Sequence, residues 1–313
     1  MSYSGRMQQN HSYSVFFAPR GRDRIYDLGM QIAQLYLSPF DKLIGIIGEA
    51  GSGKSMLIKG MFPGLELTND DNGVYIRPLP IMEPDRGFSF FSPHTYHLDI
   101  RFENGFAQMS ELADAIADAL QRGKRVVVEH FDLIYPLLKS NANLLIGVGE
   151  QVIVSRPNIF GPEPEEIRQN VYTSLPYRLM AHTAEDLCEF CMDPKLVEQA
   201  GHDDVRHGFC MYFDSRPDIN LAELEEKVNE LIAKDLPIAY VDDNHISIGG
   251  ELHKCNGPRI HVGSTGQVKN FRLMHHFIYD RFKRRYHVVG CVGERSDELL
   301  KQLDIAHQRP FNV

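Results

Sequence analysis

Leu43-Ile44-Gly45-Ile46-Ile47, then Gly48-Glu49-Ala50-Gly51-Ser52-Gly53-Lys54-Ser55, then Met56-Leu57-Ile58 is the stretch that decides the amino-terminal half of this chain. The run from Lys42 to Ile47 reads as a buried strand, and Met56-Leu57-Ile58 as the opening of a helix. The turn between them fits G-x-x-x-x-G-K-[ST] in full, in the strand-to-helix context that the pattern requires. Glycines let such a loop curl so that its N–H groups face phosphate oxygens, and a helix N-terminus adds partial positive charge. Gly48, Glu49, Ala50, Gly51, Ser52, Gly53, Lys54 and Ser55 are therefore the candidate nucleotide-binding residues. In this arrangement Lys54 reaches the β- and γ-phosphates and Ser55 ligates Mg²⁺. The alternative is a glycine-rich turn that binds nothing, which the complete pattern in its context disfavours.

Phosphate chemistry also calls for a carboxylate at the end of a neighbouring strand, to hold the metal or orient water. Glu129 follows the buried run Arg125-Val126-Val127-Val128, with Asp132 three residues beyond, and Asp99 lies in Thr95-Tyr96-His97-Leu98-Asp99-Ile100-Arg101. Each acid can equally be a solvated strand-end residue. Ser14–Phe17 reads as a short strand. Ile25, Leu28, Ile32 and Leu35 form a helical stripe that stops at Ser38-Pro39, and Ser110–Leu120 forms another. Leu144-Leu145-Ile146 and Val152-Ile153-Val154 add two strands. Strands alternating with helices predict an α/β domain with a mostly parallel sheet and helices on both faces.

At 313 residues the chain is about twice the ~150-residue prior for one domain, so two domains are expected. The proline-rich segment Pro157–Pro164 supplies a boundary, giving an amino-terminal domain over 1–160 and a smaller α+β domain over 161–313. In the second, Asn220 caps a helix in a capping-box arrangement with Glu223, with Leu221, Leu224, Val228, Leu231 and Ile232 as its stripe. Strand-like pieces follow at Ile238–Val241, Ile246–Ile248, Arg259–Val262 and His287–Val289. Hydrophobic residues at 43% suit a buried core, and no apolar run approaches the ~20 residues of a membrane span. The polar first residues do not read as a signal peptide, and Met1 to about Ser12 reads as loose. Five cysteines in a chain of this length do not form a disulfide framework, and a cytoplasmic location is expected. A net charge of −9 excludes gripping nucleic acid with the whole surface, although a local footprint stays open.

The order of the glycine-rich loop, Tyr96-His97-Leu98-Asp99-Ile100-Arg101, a short helix and Val126-Val127-Val128-Glu129-His130 resembles the TsaE family of small P-loop ATPases, which act in making threonylcarbamoyladenosine on tRNA. The resemblance covers about Lys42 to Ile134. It implies a P-loop NTPase fold, ATP or GTP with Mg²⁺, a magnesium-associated Asp99 and a second acid in Glu129. It departs at Arg101, where the family usually has an aromatic residue before its arginine, and in extra residues between Met61 and Ser92.

In the second half, His182 and Asp186 are four apart and share a helix face, while Cys255 and His261 lie close together later on. A thiolate, two imidazoles and a carboxylate are a donor set for tetrahedral Zn²⁺, although isolated histidines are more often surface or core residues. Cys255, Gly257, Pro258, His261, Val262, Thr265, Gly266, Val268 and Phe271 resemble the second additional domain of threonyl- and alanyl-tRNA synthetases, also found in free-standing AlaX proteins. That likeness extends over about Tyr177 to Gly293 and implies a Zn²⁺ or water-positioning site that hydrolyses mischarged aminoacyl esters. Asp186 replaces the second histidine of the family's H-x-x-x-H, and Arg259-Ile260 widen the Cys255–His261 spacing. Cys188 and Cys191 form a lone C-x-x-C on the same helix and read as half-buried thiols. Lys254 to Arg285 holds Lys254, Arg259, Lys269, Arg272, Arg281, Lys283, Arg284 and Arg285 against the single acid Asp280. This stretch either meets tRNA or nucleotide phosphate or pairs with the acidic helix around Glu223–Glu230.

The expectation is a fusion whose first domain cleaves or transfers a γ-phosphoryl group, with Lys54, Glu129 and Asp99 as catalytic residues. Two rivals stand beside it. One is a nucleoside kinase, since second additional domains also occur fused to uridine-kinase-like domains. The other is a nucleotide-gated RNA-binding module with little catalysis. No membrane partner is expected.

Overall fold

The computed structural model describes residues 13–68, 81–82 and 94–308. Two compact units divide them: the chain up to Ala18 with Asp23–Thr173, and Pro19–Arg22 with the chain from Ser174 onward. The expected loose terminus at Met1–Ser12 lies outside the described residues, as do most of the extra residues between Met61 and Ser92.

Unit 1 runs β1 (Ser14–Phe17), α1 (Arg22–Tyr36), β2 (Leu43–Ile47), α2 (Lys54–Met61), β3 (Thr95–Asp99), α3 (Ile100–Glu103), α4 (Met109–Gln121), β4 (Arg125–Glu129), α5 (Phe131–Leu138), β5 (Leu144–Val148) and β6 (Gln151–Ser155). Its six-stranded sheet has the order β1-β6-β5-β2-β4-β3. β5, β2, β4 and β3 are parallel, whereas β6 is antiparallel to both β5 and β1. Only Gly149-Glu150 separates β5 from β6, and a turn that short can join only antiparallel strands.

Every residue of β2 is buried, because the strand's alternation feeds two cores. Ile44 and Ile46 pack with Ile25, Leu28 and Ile32 of α1 and Leu57 and Ile58 of α2. Leu43 and Ile47 pack on the other face with Leu112 and Ile116 of α4 and Phe131 and Ile134 of α5. The result is an α/β unit whose sheet is covered on both faces.

The division between units does not fall at Pro157–Pro164. It falls inside one continuous helix, α6 (Pro164–Cys191), between Thr173 and Ser174. The first turns of α6 belong to the sheet's core: a Cβ on Gly147 of β5 would meet Ile167 at 2.5 Å and Val171 at 2.7 Å. Proline-rich composition marks a loop, and here the loop is internal to unit 1.

Unit 2 holds the rest of α6, then α7 (Pro194–Val197), β7 (Gly201–Val205), β8 (Gly208–Phe213), α8 (Leu221–Ala233), β9 (Ile238–Asp242), β10 (His245–Ile248), β11 (Glu251–Lys254), β12 (Arg272–Leu273), β13 (Ile278–Asp280), β14 (Arg285–Cys291) and α9 (Ser296–Gln308). Its sheets are antiparallel, one ordered β12-β14-β8-β7 with β13 on β14, the other β11-β10-β9. Asn220 caps α8 by accepting the Glu223 N–H at 3.3 Å. The expected strand at Arg259–Val262 is absent: that segment is a turn, closed by Ile260 N–H donating to Gly257 O at 3.0 Å. All five cysteines are free thiols. Among the described residues no helix is long and apolar enough to cross a membrane.

Candidate functional site

In unit 1 the loop from Gly48 to Ser55 joins β2 to α2 at the C-terminal edge of the parallel strands. Gly51 and Gly53 have φ of 77° and 95°, conformations that a side chain strains. At Gly53 a Cβ would also lie 2.4 Å from Ile25 Cδ1. Lys54 starts α2 with its side chain buried; its Nζ donates to Glu49 O at 2.9 Å and lies 3.6 Å from Glu129 Oε2. Ser55 Oγ donates to Glu129 Oε1 at 3.2 Å. The parallel register, with Ile46 opposite Glu129, brings this acid to the loop.

Glu129 is 1% exposed, so burial alone would raise its pKa. A hydrogen bond from His97 and the positive charge around it outweigh that, and the pKa falls to about 2. His97 Nδ1 accepts the Thr68 N–H at 3.1 Å, which leaves Nε2 as the nitrogen that donates to Glu129 Oε1, also at 3.1 Å. His97, which no sequence argument singled out, is thus the group that orients the acid. Asp99 stands opposite Glu129 in the β3–β4 register. Its carboxylate caps α3, accepting the Phe102 N–H at 3.1 Å.

His130 follows in the left-handed region with φ of 55°, and burial followed by the charge of Lys54 lowers its pKa to about 4. Arg101 Nη1 donates to Glu49 Oε1 at 2.5 Å, and that hydrogen bond lowers the Glu49 pKa. Asp132 lies in the first turn of α5, its pKa raised by burial. Ser55 and Glu129 thus present adjacent oxygen atoms at the loop.

In unit 2 the structure brings three of the four expected donors together. His261 Nε2 lies 2.6 Å from Asp186 Oδ2 and 3.8 Å from Cys255 Sγ. Six residues of strand would separate Cys255 and His261 by roughly 20 Å, so the Gly257–Ile260 turn makes the cluster possible. His182 is buried on α6 but belongs to none of the donor groups. Others join instead: His253 Nε2 is 3.9 Å from Asp186 Oδ1 and 3.8 Å from Glu189 Oε2, and His202 Nδ1 is 2.8 Å from Glu185 Oε1. Glu185 and Glu189 were not singled out from the sequence, although their i, i+4 spacing beside Asp186 is a signal that could have found them; His202 and His253 carried no spacing signal.

A guanidinium sits among these donors. Arg20, 4% exposed, donates from Nη1 to Glu185 Oε2 at 2.5 Å and from Nη2 to Asp186. Its Nη2 is also 3.6 Å from Cys255 Sγ. Burial opposes its charge, but Glu185, Cys255 and Glu189 more than compensate and raise its pKa. Burial and then Arg20 push His261 down to about 3 and His253 down to about 4, and burial raises the Cys255 thiol despite Arg20. The guanidinium occupies the space against Asp186 and Cys255 that a shared metal would fill. A zinc ion would need the thiolate and would sit beside a fixed positive charge. With Arg20 in place the donor set does not fit Zn²⁺.

The basic stretch is partly occupied. Arg272 pairs with Glu225 at 3.5 Å and Asp297 at 3.3 Å, Lys283 lies 4.0 Å from Asp203, and Arg285 pairs with Asp214 at 3.0 Å. Arg259 lies over the Tyr240 ring at 4.9 Å. Cys188 is buried in the core cluster of unit 2 and Cys191 packs against it. No protein-family model matches the chain, and no curated protein matches it.

Proposed function

We propose that unit 1 binds a nucleoside triphosphate, ATP or GTP, with Mg²⁺ and cleaves or transfers its γ-phosphoryl group. The observation that carries this reading is the convergence of Lys54 and Ser55, at the mouth of a glycine-strained loop, on the buried carboxylate of Glu129. Main-chain N–H groups of the loop and the Lys54 ammonium supply fixed positive potential to a polyphosphate. Ser55 and Glu129 would hold Mg²⁺, which neutralises charge developing on the phosphate oxygens.

Glu129 remains ionised at neutral pH, and His97 fixes its orientation. It is the group best suited to accept a hydrogen bond from the attacking water or hydroxyl. Lys54 leaves the Glu49 carbonyl to meet phosphate, while Asp99, committed to its cap, supports the site from one strand away.

Phosphate release measured with MgATP and MgGTP tests the proposal, with and without an added nucleoside as acceptor. Release in the wild type that is abolished by Lys54→Ala and cut at least tenfold by Glu129→Gln supports it. Dependence of turnover on the nucleoside identifies a kinase. Turnover equal in the wild type and Lys54→Ala sinks the proposal.

A further inference from the structure

Unit 2 carries a buried cluster of metal-ligating side chains that already contains a cation of its own. The carboxylates of Glu185, Asp186 and Glu189, the thiol of Cys255 and the imidazoles of His202, His253 and His261 fall into three overlapping groups whose donor atoms lie within 4.8 Å of one another. Each group includes at least one carboxylate that Arg20 also engages: Glu185 at 2.5 Å, Asp186 directly, and Glu189 at 4.0 Å. The Cys255 thiol is 3.6 Å from the same guanidinium. We infer that Arg20 stands in for a metal ion: its guanidinium closes the donor set, which takes a divalent cation through Asp186, Cys255 and His261 only when that guanidinium is removed.

The chemistry of the two occupants supports this exchange. Carboxylates accept the planar N–H fork of arginine in charge-assisted hydrogen bonds as readily as they ligate a metal. Arginine cannot shed its charge by deprotonation, so it holds the place at every working pH. A divalent ion in the same space needs a thiolate from Cys255 and unprotonated imidazoles. His261 Nε2 lies 2.6 Å from Asp186 Oδ2 and 3.8 Å from Cys255 Sγ, so removing the guanidinium leaves a nitrogen, oxygen and sulfur donor set already gathered around the space it filled. Metal-assisted ester hydrolysis is consequently closed to the wild-type cluster, and the inference is independent of what unit 1 binds.

Cobalt titration of the full chain reads this directly, since a cobalt–thiolate bond gives a near-ultraviolet charge-transfer band that hexaaqua cobalt lacks. Wild type, Arg20→Ala and Arg20→Gln are compared, with Arg20→Ala/Cys255→Ser as control, and metal content is measured after zinc loading and desalting. The expected result is no band and less than a tenth of an equivalent of zinc in the wild type. About one equivalent and a band are expected in either Arg20 variant, the band being lost with Cys255→Ser. A wild type that binds one equivalent with the thiolate band overturns the inference. Folded Arg20 variants that bind no metal overturn it equally. If neither Arg20 variant folds, wild-type melting with excess zinc or chelator decides: an unchanged Tm upholds the occupied site, and a zinc-induced rise that disappears in Cys255→Ser contradicts it.

Discussion

Acidification should begin to destabilise this protein above the carboxylate range, because histidines that the fold buries in the neutral form take up protons at about pH 6.5 once the chain unfolds. His130 in unit 1 and His253 and His261 in unit 2 have pKa values lowered from 6.5 to about 4, 4 and 3 by burial, reinforced by Lys54 in the first case and Arg20 in the other two. A depressed pKa means that the unfolded chain takes up the proton first. The stability these groups contribute is complete above about pH 6.5 and is lost as pH falls toward their folded values.

Each proton bound by the unfolded but not the folded state costs about 1.4 kcal/mol per pH unit. Unit 1, with one such histidine, should therefore lose up to about 1.4 kcal/mol per pH unit between pH 6 and 4.5. Unit 2, with two, should lose up to about 2.7 kcal/mol per pH unit on the same basis. Integrated from about pH 6.5 to 4.5, the second slope removes about 5 kcal/mol, a large share of a total stability of about 5–15 kcal/mol. Urea unfolding followed by circular dichroism at pH 7.0, 6.0, 5.0 and 4.5 measures both slopes, and His253→Gln should flatten the steeper one by about half. A stability that is level or rises between pH 6.5 and 4.5 would refute the burial argument, as would a slope that His253→Gln leaves unchanged.

Other substitutions probe single contacts. Gly53→Ala combines a positive φ with a 2.4 Å clash against Ile25; it should destabilise unit 1 by roughly 1–3 kcal/mol and abolish triphosphate binding, read by denaturant titration and calorimetry. Gly45→Ala would set a methyl 2.6 Å from the Phe131 ring and should cost about 1–3 kcal/mol, partly recovered by Phe131→Leu; full stability in the single variant would contradict the packing described. Asp99→Asn keeps a good capping side chain, so the melting temperature should stay within about 2 °C, a change of well under 1 kcal/mol. A tenfold fall in phosphate release in that variant would give Asp99 a chemical role beyond its cap, and an unchanged rate would leave it structural.

The architecture of unit 1 was legible because periodicity and the glycine-rich loop agree over Leu43–Ile58, and the strands at Arg125–Glu129 and Leu144–Val148 are continuous apolar runs. The unit boundary was not, since a proline-rich loop marks a break in helix rather than a break in packing. In unit 2 the capped helix at Leu221–Ala233 could be read from Asn220 and Glu223, whereas β7, with its polar Gly201-His202-Asp203-Asp204-Val205, offers no alternating apolar face. Arg259–Val262 has strand-like composition, but the turn that starts at Gly257 overrides it. The acid that meets Lys54 and Ser55 was legible from its position after a buried strand; His97, which aims it, was hidden inside its own strand. Arg20 is the clearest omission. Its partners lie 165 and 235 positions away in the chain, and no local pattern encodes such a meeting.

Calorimetric titration of MgATP and of MgGTP into the full chain asks whether the Gly48–Ser55 loop holds a polyphosphate. One binding event per chain is expected for at least one of the two, lost in Lys54→Ala and in Gly53→Ala while the folded spectrum of Lys54→Ala persists. Absence of heat with both triphosphates at millimolar concentration, or identical binding by the wild type and Lys54→Ala, would contradict it.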